Sequence, residues 1–308
     1  MRHHPSANHP GPAVDVPPPL GQLYGVGGRR LMLHRSGSGG PAVVFLPGAG
    51  MVGLDYLNIH DRVAEFTTSV LYDRAGTGWS EPADLPRSAA EVTDELRELL
   101  VTAGVPAPYL LVGHSLGGAY ARHYAQRFSD EVAGLLLLDP IHEDFVAHLP
   151  RQLPETRRPA GEQPPAEPTE DFVQLYRGLL GQRLAGWPEE VRQPLVERHL
   201  ASWRTPAQET ANIDDEIHAE LRQAGANPDL PLIVLTVTGG DRYHTNPDRR
   251  RVEPGWNVIK LVVHAALAGS VPRGQHRVLD DAGHSGLHVD RPDAVLQAIQ
   301  DLLAQTAD

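Results

Sequence analysis

A chain of 308 residues can bury one large core, or one core with a modest second unit on it. Acidic side chains outnumber basic ones 39 to 27, and the net charge of −12 argues against nucleic acid, whose phosphates it would repel. Cysteine is absent, which excludes disulfides, thiolate chemistry and cysteine-bound zinc, and no apolar run approaches the ~20 residues of a membrane span.

Residues 1–20 are rich in proline and histidine and lack the apolar centre of a secretory signal; they read as a disordered lead-in, with the cytoplasm as the default location. From Leu23 to Leu33 two short strands about Gly27-Gly28 suggest a hairpin. Ala42 to Leu46 is then apolar throughout. Similar runs end at Asp73, Gly113, Asp139 and Val237, and a less apolar one spans His276 to Asp281. Strands apolar at every position are covered on both faces, as in a parallel sheet. Helical stretches separate them: Ser88 to Ala103, opened by a Ser with Glu three positions on, then Leu116 to Phe128 and Pro292 to Leu303. This alternation predicts an α/β layered fold.

One stretch breaks the rhythm. Residues 142–228 carry no convincing strand, only helical pieces between proline-rich linkers, and so long an insertion is expected to be a helical lid. The core is then 21–141 with 229–308.

The chemistry-bearing signal is Gly113-His114-Ser115-Leu116-Gly117, directly after a predicted strand and before a helix. A serine on so sharp a turn is lifted clear of the sheet, and only glycines two before and two after let the turn pass its neighbours. Such a serine needs a base. Among 16 histidines His284 is favoured, because it sits in a loop between the last strand and the last helix; His288 is the alternative. Two histidines without a third ligand do not make a metal site, so neither metal nor cofactor is expected. His114 reads as a packed neighbour inside the turn.

A carboxylate should fix the tautomer of the base. Asp241 is favoured because it leaves its strand through Gly239-Gly240 into a loop; Asp139, followed at once by Pro140, is the rival and reads as a junction anchor. Oxyanion donors would be the backbone N–H groups of Ala49, in the tract Leu46-Pro47-Gly48-Ala49-Gly50, and of Leu116. Asp73-Arg74-Ala75-Gly76-Thr77-Gly78-Trp79-Ser80 lacks a phosphate-loop signature and reads as a structural turn beside the site.

The oxyanion tract, DRAGTGWS, GHSLGG, Asp241 and AGHSGLHVDRPDAV, in this order, resemble the α/β-hydrolase superfamily over nearly all of the chain after the lead-in, the insertion excepted. The segment VGGRRLMLHRSGSGGPAVVFLPGAG is similar to the bacterial lid-bearing subgroup of proline iminopeptidases, esterases and lactonases. The resemblance implies a mostly parallel, eight-stranded sheet flanked by helices, a lid over its C-terminal edge and a Ser-His-Asp triad. Many relatives begin the oxyanion tract with histidine where this chain has Pro47, which bears on substrate preference. Ser115 stands where dehalogenases and epoxide hydrolases of this fold carry aspartate. Lys260, the only lysine, lies in an ordinary helical stretch rather than beside the triad, as a hydroxynitrile lyase would want.

These readings favour a serine hydrolase acting on a small-molecule ester, lactone, thioester or amide, a carboxylic ester more than an aminoacyl substrate. The alternatives are an acyltransferase or cyclase using the same triad, and a ligand-binding protein of this shape. An aminopeptidase would need insertion carboxylates, and Glu209, Asp214, Asp215 and Glu216 are available, although acidic residues in a helical insertion usually form a solvated face.

Overall fold

The computed structural model describes residues 16–148, 167–246 and 254–306. Most of the expected lead-in and the proline-rich start of the insertion lie outside these residues. The apolar runs form eight strands: β1 (Gln22–Val26), β2 (Arg29–Ser36), β3 (Ala42–Leu46), β4 (Ser69–Tyr72), β5 (Tyr109–His114), β6 (Val132–Leu138), β7 (Leu232–Val237) and β8 (Gly274–Leu279). Their spatial order is β1-β2-β4-β3-β5-β6-β7-β8. The β1–β2 hairpin and the β2–β4 pair are antiparallel, and the remaining pairs are parallel.

Successive residues of a strand face opposite sides, so the all-apolar strands build two cores. Val44, Leu46, Leu111, Leu135 and Leu137 pack on one face with helices α2 and α3, which follow β4 and β5. Val43, Phe45, Leu110, Val112, Leu136 and Leu138 pack on the other, with α1 and α10. Helix α1 (Leu57–Val63) is too short to show a periodicity and escapes the sequence reading. Helix α2 (Ala89–Thr102) opens as expected: the Ser88 hydroxyl accepts the Glu91 N–H while the Glu91 carboxylate accepts that of Ser88. Helix α3 (Leu116–Arg127) starts on the residue after the serine.

Between β6 and β7 the chain forms α4 (Glu170–Arg183), α5 (Glu189–Ala201), α6 (Thr205–Glu209), and a π-helical turn (Ile213–Ile217) that runs into α7 (His218–Gln223). Leu180, Leu184 and Leu195 join the second core, and the Trp187 indole donates to the Leu54 carbonyl at 2.7 Å. Helix α8 (Pro254–Ala268) lies between β7 and β8, and the short α9 (Leu287–Asp290) and α10 (Pro292–Thr306) close the chain.

Candidate active site

The turn after β5 has the geometry that its glycines demand. Ser115 has φ 52°, a left-handed value that costs a side-chain-bearing residue strain. A Cβ on Gly113 would stand 2.5 Å from the Gly117 carbonyl oxygen, and one on Gly117 only 2.0 Å from that of Leu46. The serine hydroxyl thus sits at the C-terminal edge of the sheet, beside the start of α3.

His284 reaches it from the loop after β8. Its Nε2 lies 3.0 Å from Ser115 Oγ, and its Nδ1 lies 2.7 Å from Asp139 Oδ2. A carboxylate only accepts, so Nδ1 carries the proton and Nε2 is left to accept from the serine hydroxyl.

The carboxylate facing His284 is therefore Asp139 and not Asp241, which corrects the preference drawn from sequence. Strand order supplies the reason. Strand β6 is the neighbour of β5, and Ser115 N–H bonds directly to the Leu138 carbonyl at 3.0 Å, so the end of β6 adjoins the serine turn. Asp241 leaves β7, one strand further away. Its Oδ2 accepts the backbone N–H of Ser285 at 3.0 Å and the Ser285 hydroxyl at 2.6 Å, so it holds the histidine loop from behind. Asp139 is also at positive φ, 42°, a second strained residue at the site. Burial alone would raise the Asp139 pKa. The hydrogen bond from His284 and the charge of Lys260 outweigh it and hold the carboxylate below its ordinary range.

His114 is the packed neighbour that the sequence suggests, and it does more. The His284 carbonyl can only accept, so His114 Nε2 donates to it at 2.9 Å; Nδ1 then accepts from the Tyr56 hydroxyl at 2.7 Å. Burial and the neighbouring histidines push the His114 pKa well down, which keeps that neutral tautomer. His288 is fully buried against the Tyr56 ring, 4.7 Å between centroids, and does not bond Ser115. Among the described residues, no group of three or more acidic or histidine side chains converges as metal ligands would.

The tract between β3 and the serine is braced from below. Arg74, almost wholly buried, donates from Nη1 to the Pro47 carbonyl at 2.6 Å and from Nη2 to that of Gly48 at 2.9 Å. A trans peptide points its N–H opposite to its C=O, so tying the Gly48 carbonyl to Arg74 turns the Ala49 N–H the other way. Ala49 lines the cavity at Ser115. Leu116 is the first residue of α3, where a helix leaves its N–H groups without intrahelical acceptors.

The counter-charge of Arg74 comes from the insertion. Glu209 accepts from Arg74 Nε at 2.9 Å through one oxygen and from the Gly50 N–H at 2.6 Å through the other. Glu209 is only 3% exposed, so it is no part of a solvated face. Nothing local in the sequence marks this pair, whose members stand 135 positions apart. The DRAGTGWS turn is structural in its other members: the Asp73 carboxylate accepts the Gly53 and Trp79 N–H groups, each at 2.8 Å.

Lys260 also departs from expectation. It is helical, on α8, but its ammonium reaches Asp139, 3.1 Å from Oδ2 and 3.2 Å from Oδ1. The C-terminal edge of the sheet opens at Ser115 into a cavity of about 410 Å³. One wall is the serine turn, the Gly48–Met51 tract and His284; the other comes from the insertion, through Phe172, Tyr176, Arg183 and Trp203.

The model of the alpha/beta hydrolase family matches residues 43–298. Two uncharacterized proteins of Bacillus subtilis are similar: YbdG, 28% identical over 121 residues (39% of this chain, 37% of that protein), and YqjL, 37% identical over 111 residues (35% and 42%). The chain spans less than half the length of these curated relatives. A solved structure described as a putative lipase from Acinetobacter baumannii shares the fold with a TM-score of 0.65 at 18% identity, over 93% of this chain and 91% of that one.

Proposed function

The chain belongs to the alpha/beta hydrolase family, and we propose that it is a serine hydrolase that cleaves an ester, lactone, thioester or amide through an acyl-enzyme on Ser115. The observation that carries this reading is the unbroken relay Ser115 Oγ, His284 Nε2, His284 Nδ1, Asp139 Oδ2, with contacts of 3.0 and 2.7 Å.

In this scheme His284 Nε2 takes the hydroxyl proton as Ser115 Oγ bonds to the carbonyl carbon. The negative charge passes to the carbonyl oxygen, which the Ala49 and Leu116 N–H groups receive. Collapse expels the leaving group, which takes the proton from His284. Water repeats the sequence and frees the acid. Asp139 keeps the imidazole in the productive tautomer and balances its charge. The insertion, 142–228, serves as the lid that shapes the substrate pocket, since seven of its residues line it.

The test is a fluorophosphonate, which should phosphonylate one residue and release its leaving group. Ser115→Ala should lose both labelling and ester turnover with the melting temperature preserved. Labelling that survives in this variant would overturn the assignment.

A further inference from the structure

The cavity at Ser115 is lined by cationic side chains although the whole chain is acidic. The protein carries −12, yet the described residues that line this cavity include two arginines, Arg183 and Arg204, and no Asp or Glu. Asp55 pairs with Arg183, and three more carboxylates bond residues of the lining or their neighbours. Glu209 serves Arg74 and Gly50, Asp241 serves Ser285, and Asp139 lies behind His284.

Arg183 is the more telling of the two. It comes from the last turn of α4, is 8% exposed, and lines the cavity. Its Nη2 donates to Asp55 Oδ1 at 2.8 Å, and the same oxygen also faces His199 Nε2 at 3.0 Å. Asp55 fixes the guanidinium plane but leaves the buried Nε with no hydrogen-bond partner. A buried donor without an acceptor is costly, and protein interiors rarely tolerate one unless something else fills the role. Guanidinium offers a rigid fork that suits a planar carboxylate, and such charge-assisted bonds are about twice as strong as neutral ones. Arg204 stands at the start of α6, its guanidinium over the Trp203 ring at 5.0 Å. Phe172 packs against Trp203 and Tyr176, at centroid distances of 5.6 and 5.7 Å, so an apolar body can lie along this wall.

From this we infer that the substrate is an ester or lactone that carries a carboxylate, held by Arg183 and Arg204. The inference rests on the acyl-enzyme reading. It also disfavours an aminoacyl substrate, whose ammonium would meet two arginines and, among the described lining residues, no carboxylate.

The test compares matched 4-nitrophenyl esters: the hemiadipate, the hexanoate and the 6-(trimethylammonio)hexanoate, with 4-acetoxybenzoate against 4-acetoxytoluene to place the carboxylate on the leaving-group side. In one of the two series the carboxylate ester should exceed its neutral match in kcat/KM by about tenfold, the scale of one charge-assisted bond, and the cationic ester should be the poorest. Arg183→Met and Arg204→Gln should each shrink that ratio. If Arg183→Met fails to fold, Arg204→Gln and the wild-type ratios still decide. Equal rates for carboxylate and neutral esters in both series, with Ser115 still labelled by fluorophosphonate, would overturn the substrate class alone. Failure of labelling and of all esters would instead remove the acyl-enzyme reading beneath it.

Discussion

The ammonium of Lys260 lies 3.1 Å from Asp139 Oδ2, the same oxygen that accepts the His284 Nδ1–H. The acid of the relay is therefore part of an ion pair. An isolated carboxylate would favour the imidazolium strongly, and a neighbouring cation weakens that pull. The other groups around the pair are histidines: His264, with Nδ1 4.0 Å from Asp139, and His114, whose ring lies 4.9 Å from that of His284. Lys260 helps to hold the Asp139 carboxylate below its ordinary range, so Lys260→Met leaves a buried carboxylate short of its cation and should lower the melting temperature by several degrees. Thermal melts at pH 7 decide it, and an unchanged melting temperature would mean that the ion pair contributes nothing to the fold.

The two aspartates separate by function. Asp139→Asn removes the charge that faces the His284 Nδ1–H and can present an amide donor there instead, which favours the wrong tautomer, so kcat should fall by about three orders of magnitude or more with much of the fold retained. Asp241→Asn disturbs the Ser285 end of the histidine loop and the Tyr243 N–H contact, and should lower the melting temperature with a smaller loss of kcat. Kinetics and thermal melts on both variants check this. A well-folded, inactive Asp241→Asn beside an active Asp139→Asn would reverse the assignment.

The Arg74–Glu209 pair makes a separate claim about the oxyanion tract. Breaking a buried ion pair by removing one charge costs roughly 3–5 kcal/mol, so Glu209→Gln should melt well below the wild type. Its catalytic effect should fall on kcat, because the Gly48 and Gly50 peptides that flank Ala49 lose their brace. A boronic acid forms a tetrahedral adduct on serine and uses the same donors. Its affinity should drop by about the same factor as kcat, on the order of tenfold or more. Normal boronate affinity in a variant with reduced kcat would place the loss elsewhere.

How much of this was legible in the chain follows from how local each signal is. The strands, the α2 cap and the serine turn are written within ten residues, and each appears where the pattern puts it. The approach of His284 to Ser115 was legible because His284 follows the last strand. The acid was not, since Asp139 and Asp241 both end strands, and the choice depends on β6 lying beside β5, which no local pattern encodes. Lys260 and Glu209 were misread for the same reason. Their partners stand 121 and 135 positions away, and burial that turns a surface charge into a structural one shows only once the chain is folded.

The last prediction concerns acid stability. His60, His264 and His288 are buried, and burial lowers their pKa values to about 3, 4 and 3. In the unfolded chain each would titrate near 6.5. A depressed folded pKa contributes stability that is fully present above about pH 6.5 and is lost as the pH falls towards 4, because only the unfolded chain takes up the proton. Each histidine costs at most about 1.4 kcal/mol per pH unit in that window. Asp73 acts with the opposite sign. Burial raises it to about 6, so between about pH 6 and 4 the folded chain gains a proton that the unfolded one does not, which offsets one histidine. For these four groups the remainder is a loss of roughly 2–3 kcal/mol per unit between pH 6 and 5, and the buried His114 and His123, also lowered, add to it. His288 isolates the effect. Its ring makes no close side-chain hydrogen bond and lies against Tyr56, so His288→Phe keeps an aromatic ring there. Urea unfolding from pH 7.5 to 5 should show a shallower pH slope in this variant, by about one proton, and a higher stability than the wild type at pH 5. A slope unchanged by the substitution would mean that His288 titrates alike in both states.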